Sequence, residues 1–227
     1  MVRRRTAVSI AAAGLLLASP ALTACGSGPA HAGAAAVVGD HRITVSTLQA
    51  EVTELRTEVS ASPQGAQLLD SAGDLSTQML GRLVEDQVLD RALAKAHLTV
   101  TDGEVQRDRQ AALAQFGGNE AQLDSTLLVN YGVAKSDIDH FFYRDVASGK
   151  LIQSLGYQPG SDGGNTALTQ EVVKTADSIG VSVNPRYGTW DAKKASIGAQ
   201  SDPWVVDRTP VDASLTTDSA ATADGGA

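Results

Sequence analysis

The chain has a single cysteine in 227 residues, so no disulfide within it can staple the fold. It contains no CxxC, no P-loop, no GxGxxG and no GxSxG, which removes the sequence grounds for a thiol redox centre, a phosphate cradle, a dinucleotide site and a hydrolase elbow. Aromatic residues make up only 4% of the chain, and a core must be assembled from Ala, Leu and Val instead. The four histidines, His31, His41, His97 and His140, include no pair with metal-ligand spacing. His140 beside Asp137 and Asp139 comes nearest to a cation cluster, but acidic residues there are ordinary complements to a helix N-terminus, and His97 suits a helix C-terminus in the same way. The reading is therefore of a protein with no catalytic residues, no metal and no cofactor.

What is present begins with the position of that cysteine. Arg3, Arg4 and Arg5 form a positive start, Ala7 to Ala18 an apolar stretch too short to span a bilayer comfortably, and Leu22-Thr23-Ala24-Cys25 has the form of a bacterial lipobox. Residues 1–24 read as a signal peptide and Cys25 as the site of lipidation, placing the chain on the extracytoplasmic face of a cell membrane. Thr6, Ala7 and Val8 after the arginines do not favour a twin-arginine route. Without the signal, 15 basic residues face 26 acidic ones, a formal charge of −11, which disfavours nucleic acid as a partner. Residues 25–35 read as a flexible tether, and Gly26 to Ala35 reaches at most roughly 33 Å extended and about 17 Å as a coil.

Residues 36–191 hold one domain's worth of periodic apolar pattern. Ala35 to Thr44 reads as a strand, a Gly-Asp turn and a second short run. A helix capped by Ser46 with Gln49 follows, with Leu48, Val52, Leu55 and Val59 on one face, and Pro63 and Gly65 end it. After a loop, residues 74–96 are apolar around more than half a helix, from Leu75 to Leu93, and that helix belongs at the centre of the domain. Thr101 with Glu104 caps the next, Asn119 with Gln122 another that Gly132 closes, and Ser136 the one carrying Ile138, Phe142, Gly149 and Ile152 in line. Tyr157 to Asn165 reads as a connector and Thr166 to Ile179 as a helix stopped by Gly180. Val181 to Trp190 alternates as a strand in which Pro185 marks an edge or a bulge. Residues 192–227 are rich in Ala, Ser, Thr, Asp and Gly and read as a disordered tail, whose Trp204-Val205-Val206 either docks back on the body or stays solvated.

The order of these elements, with AAVVGDHRIT at 35–44, LVEDQVLDRALAKAHLTVTDGEV at 83–105, the passage from Phe116 to Ile138 and VSVNPRYGTWD at 181–191, resembles the chaperone domain of SurA-type and PrsA-type extracytoplasmic foldases. The resemblance implies a mainly α fold of five or six helices, closed by a small two-stranded pairing of the N- and C-terminal strands. In such foldases a prolyl isomerase domain commonly interrupts the chain before the last helix. Here only Tyr157 to Asn165 stands at that place, which is too short for a domain. The implied activity is that of an ATP-independent chaperone or assembly factor for unfolded or partly folded exported proteins, without isomerase activity. The alternative is a lipoprotein that binds one dedicated folded partner.

Phe141-Phe142-Tyr143 spans about 200° of a helix, so the three rings cannot share one core. With the Ile138 to Ile152 line taken as the core direction, Tyr143 and Leu151 point away from it. They are the candidate client-binding residues if that helix carries an exposed apolar strip, and ordinary packing residues if it is sandwiched between two neighbours. Asp86, Asp90 and Arg91 read as the solvated edge of the central helix.

Overall fold

A computed structural model describes residues 32–198. The signal peptide, Leu22, Thr23, Ala24 and Cys25 of the lipobox, most of the tether and the tail beyond Gly198 lie outside the described residues.

Strand β1 (Ala34–Val38) turns through Gly39 and Asp40 into β2 (His41–Thr44), and the two pair antiparallel with Val38 opposite His41. Gly39 takes φ 59°, the left-handed conformation that a two-residue hairpin turn requires. Helix α1 (Val45–Ala61) starts directly from β2, and its cap is Thr44, whose hydroxyl accepts from the Thr47 N–H at 3.0 Å. The expected cap at Ser46 lies two residues inside the helix, because the last strand residue already has the extended backbone that a cap needs. Leu48, Val52, Leu55 and Val59 are buried in one stripe, as their spacing predicts.

The loop expected after α1 is instead a short helix, α2 (Gly65–Ser71), whose Leu68 and Leu69 pack on the core. Seven residues carry too little periodic signal to show a helix, and tertiary packing supplies its stability. Helix α3 (Leu75–Lys95) is capped by Asp74, which accepts from Ser76 and Thr77. It buries Leu80, Val84 and Val88 completely and also Met79, Leu89 and Leu93, and so it is enclosed on several sides as expected.

Helix α4 (Asp102–Gln115) opens where Glu104 accepts from the Thr101 N–H and hydroxyl, both at 2.9 Å. Lys150 reaches the same carboxylate at 2.6 Å, and these bonds together hold Glu104 down at about 2. Asn119 caps α5 (Glu120–Tyr131), and Gly132 closes it in the left-handed region at φ 60°. Ser136 does not cap the following helix: it lies in a 3-10 turn, Lys135–Asp137, and its hydroxyl bonds to Glu54 of α1. The N–H of Lys135 donates to Glu58 at 2.8 Å, so this turn is fastened to α1 before α6 (Ile138–Ser154) begins.

Helix α7 (Asp162–Ile179) starts four residues ahead of the expected Thr166, since Ser161 caps it by accepting from Gly164 at 3.1 Å. Only Leu155 to Ser161 then connects α6 to α7. Strand β3 (Val181–Val183) lies antiparallel to β1, Val37 opposite Ser182, and makes a three-stranded sheet in the order β2-β1-β3. The pairing of the two ends is thus as expected, within a sheet one strand larger. Past β3 the expected single strand breaks. Pro185–Tyr187 is a 3-10 turn, and β4 (Thr189–Asp191) pairs with β5 (Ser196–Gly198) as a separate hairpin. The folded body therefore runs past Asp191, with Ala195 only 4% exposed and Ile197 packed on the core.

Among the described residues there are seven α-helices rather than five or six, and the fold is mainly α. Three apolar clusters hold them. The largest joins the sheet, α1, α3 and the β4–β5 hairpin; a second joins α4, α5 and the start of α6; a third joins α3 to the far half of α6.

Candidate functional site

Helix α6 is wedged between neighbours. Its Ile138 and Phe142 enter the second cluster, while Ala147 and Leu151 enter the third, against Leu89 and Leu93 of α3. Leu151 is 1% exposed and cannot meet a client. Tyr143 is half-buried, and its hydroxyl donates to Asp90 at 2.7 Å. Burial comes first among the influences that push that phenol up to about 12, followed by the bond to Asp90. Leu151 is thus a packing residue, whereas Tyr143 packs with part of its ring and also borders two surface hollows. The helix is sandwiched between neighbours, the second of the two arrangements that its three adjacent rings allow.

A groove with a more apolar lining lies elsewhere. Between α3, α6, α7 and the β4–β5 turn runs a groove of about 420 Å³, a size within the range of small-molecule and cofactor pockets. Its apolar lining comes from Leu89 of α3, Phe141 of α6, and Leu168 and Val172 of α7, with Lys194 and Ala195 on the hairpin wall. Phe141 continues an aromatic series: Phe142 stands edge-on behind it at 5.3 Å, and Tyr131, 57% exposed, lies tilted in front of it at 5.5 Å. The Arg144 guanidinium sits 5.9 Å over the Phe141 ring. Beyond Tyr131 a second apolar hollow of about 300 Å³ is walled by Leu55, Leu75 and Met79. Arg82 fixes the divide by donating to the carbonyls of Tyr131 and Gly132, both at 2.9 Å.

A charged network underlies the groove. His140 and Arg144 stand four residues apart on α6 and so face the same side, where both approach Asp86 of α3, at 3.7 and 3.6 Å. Asp86 is a buried member of that network and not the solvated edge expected for it, with its side chain 7% exposed. Burial pushes its carboxyl up, against the pull of Arg144 and then His140. The folded form therefore holds a proton on Asp86 more firmly than the unfolded chain does. Its contribution to stability is greatest below the ordinary value of 3.8 and declines as pH rises through the folded value. Asp86→Asn keeps the shape and removes the cost of the buried charge, and Arg144, which lines the open groove, can be hydrated in its place. The variant is expected to melt at or above the parent's temperature at neutral pH and to show a flatter profile between about pH 3 and 7 in thermal melts. A clear loss of stability at neutral pH would contradict it.

Asp90 and Arg91 divide as well. Asp90 accepts from Tyr143, whereas Arg91 is exposed and pairs with Asp40 of the β1–β2 turn. His140 faces Asp86 and Asp137, and among the described residues no three His, Cys, Asp or Glu side chains are grouped to hold a metal ion. Among these residues no helix is long and apolar enough to cross a membrane. Sequence reasoning missed Asp86 as a buried group and missed Lys194 and Ala195 altogether. Trp190 and Ile197, apolar residues flanking the polar run Asp-Ala-Lys-Lys-Ala-Ser, were the available sign of a hairpin there.

Neither a curated protein nor a solved structure matches the chain. The model of one protein family, the SurA-like N-terminal domain, matches residues 1–131. That span runs from the first residue to the last of α5 and covers more than half of the 227 residues, and on it the chain belongs to the SurA-like N-terminal domain family.

Proposed function

We propose that this protein is a lipid-anchored, ATP-independent chaperone or assembly factor on the extracytoplasmic face of a cell membrane, and that it holds unfolded or partly folded exported chains in the groove between α3, α6 and α7. The observation that carries the reading is the groove itself, an open apolar lining with charged walls in a family of chaperone-type domains. Apolar segments of an unfolded chain lose water there, a gain in proportion to the area covered and independent of side-chain identity. Such a contact is broken by the client's own folding, which withdraws the segment, so release needs no chemistry. The seven residues from Leu155 to Ser161 leave no space between α6 and α7 for a prolyl isomerase, and the activity proposed is binding alone. Cys25 would carry the anchor.

The test is suppression of aggregation for several unrelated denatured proteins by the full chain, alongside Leu168→Gln and Phe141→Ser variants shown by thermal melts to be folded. The parent should delay aggregation of most clients and the folded variants should delay it several-fold less. A parent without effect, or folded variants equal to it, would rule out the groove as the client site. Cys25→Ala, in the same series, should move the protein from the membrane pellet to the soluble fraction after detergent-free lysis.

A further inference from the structure

The groove wall nearest the end of the described chain is the β4–β5 turn, and that turn holds an unusual backbone. Asp191 anchors it by accepting from the Lys193 N–H at 3.0 Å, and Ala195 closes it at φ 48°, a left-handed conformation that glycine or asparagine ordinarily supplies. Ala195 is nonetheless 4% exposed and lines the groove beside Lys194. Three residues later, at Gly198, β5 ends. Gly198 thus lies no more than about 10 Å from the groove wall.

Six residues beyond Gly198 stands Trp204-Val205-Val206, a run of three large apolar residues in an otherwise small and polar stretch. Six residues reach at most roughly 20 Å, twice the distance from Gly198 to the wall. Pro203 favours an extended backbone at Asp202, which suits a segment laid along a groove. The charged groups of the lining are already matched among themselves, Arg144 with Asp86 and Lys194 with Asp191, so what the groove offers the run is its apolar surface.

We infer that Trp204-Val205-Val206 of this chain occupies the groove, with the Trp204 indole against the apolar lining of Phe141, Leu168 and Val172. The tail is then a tethered competitor. Being covalently linked, it meets the groove at an effective concentration that a free client must exceed, so weak contacts are enough for it to compete. The docking stands on the groove and the reach alone; the competition rests on the client-binding reading proposed above.

The experiment follows Trp204 in the purified full chain by subtracting the emission of Trp204→Ala from that of the parent. If the indole is seated, the difference spectrum is blue-shifted from that of free tryptophan and acrylamide quenches it several-fold less. Ser148→Phe, on the α6 wall of the groove, fills the space from within and should return Trp204 to solvent-like emission and quenching while the fold, checked by melting, is kept. Emission and quenching like those of free tryptophan in the parent would overturn the docking. Protection that survives Ser148→Phe would overturn the groove as its place, and protection lost on dilution would overturn docking within one chain in favour of a second copy. With docking established, Trp204→Ala should suppress client aggregation at a lower concentration than the parent. No such gain would leave the docking intact and sink the competition.

Discussion

A chain ending at Gly180 is expected not to fold, whereas one ending at Gly198 should melt within a few degrees of the parent. The stretch between them closes the body. Val181 to Val183 supply the third strand, and Asn184 adds two bonds to β1, its N–H to the Ala35 carbonyl at 2.9 Å and its side-chain amide to the Ala34 carbonyl at 3.1 Å. Tyr187 is 7% exposed, and its carbonyl accepts from the Thr77 hydroxyl at 2.8 Å, which ties this segment to the first turn of α3. Loss of one buried aromatic typically costs about 3 to 5 kcal/mol, a large share of the 5 to 15 kcal/mol that a domain possesses. Stopping at Ala192 keeps Tyr187 but removes Ala195, Ile197 and the β4–β5 ladder. That intermediate should fold with a melting temperature lowered by roughly 5 to 10 °C, about 2 to 3 kcal/mol at this size. The folded unit thus extends at least to Gly198, seven residues beyond the expected end at Asp191. If the Ala192 and Gly198 chains melt together, the hairpin is not part of the core.

Leu151→Ala separates the two readings of α6. As a client-binding residue, Leu151 would affect client capture and leave the melt alone. As the structure has it, the side chain is sealed between Ala147 on its own helix and Leu89, Ala92 and Leu93 on α3. Truncating such a leucine costs about 2 to 5 kcal/mol, the upper values where neighbours cannot close the cavity. The expected outcome is a fall of roughly 5 to 20 °C in melting temperature, with client suppression by the remaining folded protein unchanged. An unaltered melt would return Leu151 to the surface.

Much of the architecture was legible because it depends on local chemistry. Leu48, Val52, Leu55 and Val59 show a stripe by spacing alone, Asn119 and Glu104 act within three residues of the positions they cap, and Gly132 and Gly180 end helices where a positive φ is needed. The misses depend on distant partners. Nothing near Ser136 in the sequence indicates that Glu54 takes its hydroxyl, and nothing near Asp86 announces that Arg144 and His140 will cover it. α2 carries too few turns for a period, and β4 with β5 too few residues for an alternation. The groove was the least visible feature, since its lining is contributed by α3, α6, α7 and the hairpin, and only their packing brings Leu89, Phe141, Leu168 and Ala195 to one place.

The pairing of β1 with β3 also sets the order in which the molecule can be completed. Val37 and Ser182 stand 145 positions apart, so the contact that finishes the sheet is among the last that a chain made from its N-terminus can form. Loop closure over that span is slow compared with the formation of α1 or α3. Until β3 arrives, β1 presents an open row of backbone donors and acceptors on the side away from β2, the kind of edge on which other chains assemble. During its own synthesis this protein therefore passes through a stage in which its first strand is exposed on one side, and the residues that cover it are supplied only from the far end of the fold.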